Sequence, residues 1–330
     1  MRSSILTLFL LVSGLGAGFS AAQGDTRTLL DAGRQAYEAS QYPRAVQLLQ
    51  QVLSGDSGNT DALYLLTKSY IELAQHDNAV NSAERAVVLA PQSSLYHQWL
   101  GKAYGEKAEH ASWFSAISLA KKTRKEFEIA VQLDERNFAA RQDLIEFYCS
   151  APGMVGGGVD KAAPHIARLA ALDASEGHYA KGNCRRQKKD FAAADAEFTK
   201  ALESGAKAPD LIYDIGDYAV KQKQPERLLA VAEAGQQADP ADPRSDYYRA
   251  VAFLLKNEKA EQAEQLLRSY LQRAPVRTAY PRPGVAHDWL GHALEVQGKT
   301  AEALQEFRAA LQADPRNKDA RESAERLEKH

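Results

Sequence analysis

The chain has 330 residues, with 41 Lys plus Arg against 43 Asp plus Glu, 45% hydrophobic and 25% charged. These values exclude a disordered chain and a polytopic membrane protein. A formal charge of −2 argues against a nucleic-acid partner, and two cysteines outside any Cys-x-x-Cys spacing are too few for a disulfide-built scaffold.

At the N-terminus, Arg2 precedes the apolar run Ile5 to Val12, glycines Gly14, Gly16 and Gly18 loosen the chain, and Ser20-Ala21-Ala22 supplies small residues. This is the plan of a secretory signal over residues 1–22, cleaved after Ala22. The apolar run falls short of the roughly 20 residues a spanning helix needs. No cysteine near Ala22 offers a lipid anchor, so the expectation is a soluble exported protein, periplasmic or secreted, with no membrane span in the mature chain. Residues 23–25 read as a short linker, with Asp25 or Thr26 capping the first helix.

Beyond this segment the sequence repeats every 34 residues. Gly33, Ala45, Leu49 and Val52 reappear 34 residues on as Thr67, Ala79, Ala83 and Ala86, followed by Pro91. Gly182, Ala194, Phe198 and Ala201 open the same pattern in the second half, and Gly291, Leu294, Ala303, Phe307, Ala310 and Pro315 give its cleanest copy. Apolar and small residues at intervals of three and four mark one helix face, then a second, in each unit. Glycine at the eighth place and alanine at the twentieth let the two helices approach closely. Pro43 and Pro225 suit the first turn of a second helix, whereas Pro91, Pro240, Pro275 and Pro315 stop one.

These residues resemble the tetratricopeptide repeat. The resemblance implies an all-α, α-α superhelix of about eight helical hairpins, at 26–59, 60–93, 94–137, 138–174, 175–208, 209–242, 244–277 and 284–317, closed by a capping helix over 318–330 with Ala320, Ala324 and Leu327 inward. Thr67, Ile145 and Val251 depart from the small eighth residue.

Two insertions interrupt the period. Ten extra residues within Gly105 to Thr123 lengthen both helices of the third unit and put Trp113 and Phe114 near their junction, as a packing extension or as an aromatic knob for a partner. Ala151 to Asp160 carries four glycines and a proline, which demand a turn; Asp160 is placed as N-cap of the following helix. A phosphate cradle over Gly153 to Gly158 is disfavoured, because no Gly-Lys-Ser/Thr follows.

No catalytic motif is present, and none of the eight histidines pairs at the four-residue spacing of a helical zinc site. The expectation is a non-catalytic chain without metal or cofactor. Cys149 and Cys184 fall on first helices of adjacent units, either as independent buried thiols or as a disulfide in an oxidising compartment.

In proteins of this family, the second, fifth, ninth and twelfth places of each unit line the inner groove. Here they give a basic row, Arg34, Lys68 and Lys102, with Gln98 nearby, and an expected tyrosine ladder of Tyr64, Tyr179, Tyr213 and Tyr248 beside Asn183. Tyrosine suits recognition because it offers rigid area and a hydroxyl. The reading is a scaffold that binds a peptide or helix of a partner protein in its concave groove, for envelope assembly or secretion. An acidic envelope polymer and a homo-oligomeric structural element are the alternatives. The family's clamp for C-terminal carboxylates is not carried over, since its asparagines are missing.

Overall fold

The computed structural model describes residues 16–276 and 279–329; most of the expected signal segment, residues 1–15, lies outside them. All regular structure among the described residues is helical. The chain divides into two compact units, one ending at Glu126 and one beginning at Phe127.

The first unit holds α1 (Gly16–Glu38) with α2 (Tyr42–Gly55), α3 (Thr60–Glu72) with α4 (His76–Leu89), and α5 (Ser94–Glu109) with the start of α6 (Trp113–Leu133). α1 runs through Asp25 and Thr26, so neither caps it as expected. No proline precedes Pro43, so none interrupts the helix at Asp25 or Thr26. The second unit continues with α7 (Phe138–Ser150), α8 (Val159–Leu172), α9 (Ala174–Gln187), α10 (Phe191–Glu203), α11 (Pro209–Lys221), α12 (Pro225–Ala238), α13 (Arg244–Leu255), α14 (Ala260–Arg273), α15 (Pro283–Val296), α16 (Thr300–Ala313) and α17 (Lys318–Leu327). Within a unit, helices next to each other in sequence pack together, as α1 does on α2 and α15 on α16, and first helices of neighbouring hairpins stack, as α1 does on α3 and α13 on α15.

Local chemistry sets these boundaries. Asn59, Asn137 and Asn317 each accept a backbone N–H three residues on, at 2.9 to 3.1 Å, and so start α3, α7 and α17. Within hairpins the first helix ends in a repeated motif: after α3, Gln75 N–H bonds Tyr70 carbonyl at 2.8 Å and Ala74 N–H bonds Ile71 carbonyl at 2.9 Å. Ala74 takes a φ of 53°, and Ser40, Lys189, Lys223, Asn257 and Gly298 do likewise in the corresponding turns. This left-handed residue satisfies carbonyls that the helix end would leave bare.

Burial follows the repeat. An added Cβ at Gly182 or Gly291 would meet the ring of Phe198 or Phe307 at 2.6 Å, so glycine admits the aromatic residue of the second helix. Between neighbouring hairpins a hydrogen bond recurs at a separation of twenty residues: Gln50 donates to Tyr70 at 2.9 Å, while Tyr104 donates to Glu84 and Tyr148 to Glu128, at 2.6 and 2.7 Å.

The insertions have defined forms. α5 has 16 residues and α6 has 21, where α3 and α4 have 13 and 14, and Trp113 opens α6. The glycine-rich segment forms a short 3-10 turn, Gly153–Val155, and α8 begins at Val159, not after Asp160. Asp160 is therefore a first-turn residue, not the cap. The chain folds back so tightly there that a Cβ on Gly157 would fall on the Ala151 carbonyl, and Gly158 N–H bonds Tyr148 carbonyl at 2.8 Å. Across α7 and α9, Cys149 and Cys184 are joined by a disulfide with Cα atoms 5.3 Å apart, inside the span such a bond requires.

Candidate functional site

In the first unit, Arg34 on α1, Lys68 on α3 and Lys102 on α5 come from three stacked helices. Lys68 Nζ lies 4.6 Å from the ring centre of Tyr37, 5.3 Å from Tyr64 and 5.0 Å from Trp99. Lys102 Nζ lies 5.4 Å from the Trp99 ring. These separations fall within the roughly 6 Å of an attractive cation–π contact. The rings also pack on one another: Tyr64 meets Trp99 edge-on at 5.6 Å and Tyr96 at 6.3 Å. Burial pushes the Tyr37 and Tyr64 hydroxyls above their ordinary pKa, with Glu72 adding to the rise at Tyr37 and Arg34 opposing it at Tyr64. At neutral pH this face therefore presents cations over neutral rings, a surface suited to anionic and aromatic groups.

Gln98 does not join it. α5 packs against both α3 and α4, and Gln98 is turned inward with 3% of its surface exposed.

In the second unit the expected tyrosine ladder is corrected. Tyr213 and Tyr248 are 3% and 1% exposed and stack on each other with ring centres 5.5 Å apart. The fifth place of one hairpin reaches across to the first helix of the preceding one, where Gly216 leaves room for the Tyr248 ring. Tyr179 is half-buried, and its hydroxyl donates to Asp214 at 3.0 Å; the Tyr248 hydroxyl donates to Asp217 at 2.7 Å. Polar surface replaces the ladder: Asp214, Asp217, Arg186 and Lys221 border a cavity of about 400 Å³, with Arg186 and Asp214 paired at 3.2 Å. Burial raises the pKa of Asp217 against the hydrogen bond from Tyr248. Asn183 is half-buried, and its side-chain carbonyl oxygen is covered without a hydrogen-bond partner.

Family models described as tetratricopeptide repeat match residues 36–103, 175–204, 213–278 and 284–317, together more than half of the chain. The chain belongs to the tetratricopeptide repeat family. A curated relative, the rhomboid protease GluP of Bacillus subtilis (strain 168), is 28% identical over 107 residues, 32% of this chain. The match spans about a fifth of that relative's length, 21%. Among solved structures, YrrB, described as a tetratricopeptide repeat protein with an unusual peptide-binding site, aligns at 18% identity and TM-score 0.43, covering 60% of this chain and 97% of its own. A tetratricopeptide repeat protein from Parabacteroides merdae ATCC 43184 aligns at 9% identity and TM-score 0.41, covering 92% and 99%. MamA aligns at 22% identity and TM-score 0.41, covering 55% and 91%.

In this tetratricopeptide repeat chain the structure brings Lys68, Lys102 and Tyr64 onto one aromatic surface. The pattern of fifth and ninth places had not singled out Tyr37, Tyr96 or Trp99. Among the described residues no group of three or more His, Cys, Asp or Glu side chains is placed to hold a metal, and no helix is long and apolar enough to cross a membrane.

Proposed function

We propose that the chain is a non-catalytic interaction scaffold whose first unit receives an acidic peptide or helix of a partner protein on the face bearing Arg34, Lys68 and Lys102. One observation carries this reading: the ammonium of Lys68 lies among three rings from α1, α3 and α5. Such a surface offers charge for carboxylates and flat apolar area for the side chains between them. Tyr179 and Asn183 in the second unit supply a polar place for a separate segment, whereas Gln98, Tyr213 and Tyr248 serve packing. The Cys149–Cys184 bond supports work in an oxidising compartment, consistent with an exported, periplasmic or secreted protein. The units proposed from the sequence remain the frame: a signal at 1–22, eight repeats and a final capping helix.

The test is fluorescence anisotropy with a labelled oligo-glutamate peptide containing aromatic residues. The native chain binds it with an affinity that falls as salt rises. Replacing Arg34, Lys68 and Lys102 together by Glu removes most of that affinity and its salt dependence. Equal affinity in the variant overturns the reading. Salt-dependent retention on an acidic polysaccharide with no peptide binding selects the polymer reading, and light scattering separates both from self-association.

A further inference from the structure

The third hairpin carries a feature that neither the repeat nor the basic face uses. Relative to α3 and α4, α5 is three residues longer and α6 seven, about 5 and 10 Å at 1.5 Å per residue. At their junction Trp113 and Phe114 are 66% and 85% exposed. From His110 to Lys125 there is no acidic residue, while Lys121, Lys122, Arg124 and Lys125 follow the aromatic pair. Lys121, Lys122 and Lys125 are exposed, and Phe114, Ser118, Lys121 and Lys125 recur at steps of four, three and four along one side of α6. The extension is also braced: His110 stacks on His76 with ring centres 4.5 Å apart, and Lys107 pairs with Asp77 at 2.6 Å.

We propose that this hairpin tip docks on an anionic lipid surface, with Trp113 and Phe114 entering the interface and Lys121 and Lys125 facing the headgroups. A protruding tip of two rings suits a lipid interface better than a protein. A stable protein contact needs about 800 Å² per partner, whereas two aromatic side chains bring about 150–250 Å² each. Aromatic rings favour the membrane interface, where their bodies sit at headgroup level. The lysines on α6 lie about 12 Å or more along the helix from Trp113, so a leaning α6 brings them within about one Debye length, 8 Å, of the phosphates. Each signal alone is weak, and reversible anchoring takes both.

The test is co-sedimentation of the full chain with phosphatidylcholine vesicles, with and without phosphatidylglycerol, combined with tryptophan emission. The native chain sediments with the phosphatidylglycerol vesicles about tenfold or more better than with phosphatidylcholine alone, and its emission shifts to the blue as Trp113 leaves water. The double variants Trp113→Ala/Phe114→Ala and Lys121→Glu/Lys125→Glu each lose about tenfold or more. All these side chains are exposed, and unchanged far-ultraviolet circular dichroism shows that each variant folds. The Arg34→Glu/Lys68→Glu/Lys102→Glu variant keeps vesicle binding, which separates this surface from the peptide face. A native chain that stays in the supernatant, tip variants that sediment like the native chain, or a tip that binds only an acidic peptide overturns the proposal.

Discussion

His97, His178 and His287 occupy the fourth place of three hairpins, counted from Ser94, Ser175 and Gly284, and each Nδ1 meets a glutamate of the second helix. The partners are Glu126, Glu197 and Glu306, at 2.6, 2.7 and 2.6 Å. In the hairpin of α7 and α8 the fourth place is Arg141, and it faces His165 instead of a carboxylate. Arg141 is 6% exposed; it donates to His165 Nδ1 and to the Glu135 carbonyl, each at 3.3 Å, and its Nε is buried without a partner. Burial, helped by Arg141, lowers the pKa of His165. The folded chain therefore disfavours protonated His165, so stability that is complete above the unfolded value of about 6.5 is lost as pH falls below it. Urea midpoints at pH 7.5 and 5.5 check this, because His165→Gln should lose less between the two than the native chain. An equal loss would show that His165 does not titrate against folding.

At the scale of one hairpin, the turn between helices is a sharper determinant than the helices themselves. Among the described residues six left-handed turn residues are not glycine, and Ala74 at φ 53° has no polar side chain to offset the strain. A left-handed non-glycine residue costs about 1–2 kcal/mol, against about 0.4–1 kcal/mol of extra unfolded-state freedom for glycine. Ala74→Gly is thus expected to stabilise by up to about 1 kcal/mol, seen as a higher thermal midpoint; a lower midpoint refutes the strain argument. Gly291→Ala works in the opposite sense, since its methyl would meet the Phe307 ring at 2.6 Å, and overpacking of this kind costs about 1–3 kcal/mol. The 34-residue period revealed helix faces, because burial on one side forces steps of three and four, and Pro43 and Pro225 marked helix starts correctly. Ser40, Ala74, Lys189 and Lys223 gave no hint of their backbone, since ordinary residues adopt it only under tertiary constraint. Tyr213 and Tyr248 were misread for a related reason: helical spacing says which residues share a side, but not whether the neighbouring hairpin covers that side. Lys68 and Lys102 were legible as a row, while the Trp99 ring beneath them depends on stacking across α3 and α5.

In a stacked-repeat chain each hairpin is stabilised chiefly by its neighbours, so a cross-link between first helices acts on a local block and not on every repeat equally. The Cys149–Cys184 bond ties α7 to α9 in the second unit, closing a segment with a sequence separation of 35 residues. Restricting the unfolded chain over such a loop contributes about 2–4 kcal/mol. Both sulfurs belong to buried residues of the cluster that includes Leu144, Ile145, Leu169 and Ala180, so the pair Cys149→Ala/Cys184→Ala also leaves a small void. The first unit has its own core, around Leu49, Leu66, Ala83 and Leu100. Amide hydrogen exchange should therefore show α7, α8 and α9 losing protection in the double variant, while α2, α3 and α4 retain theirs. A uniform loss across both units would mean that the chain unfolds as a single cooperative block and that the bond stabilises all of it together.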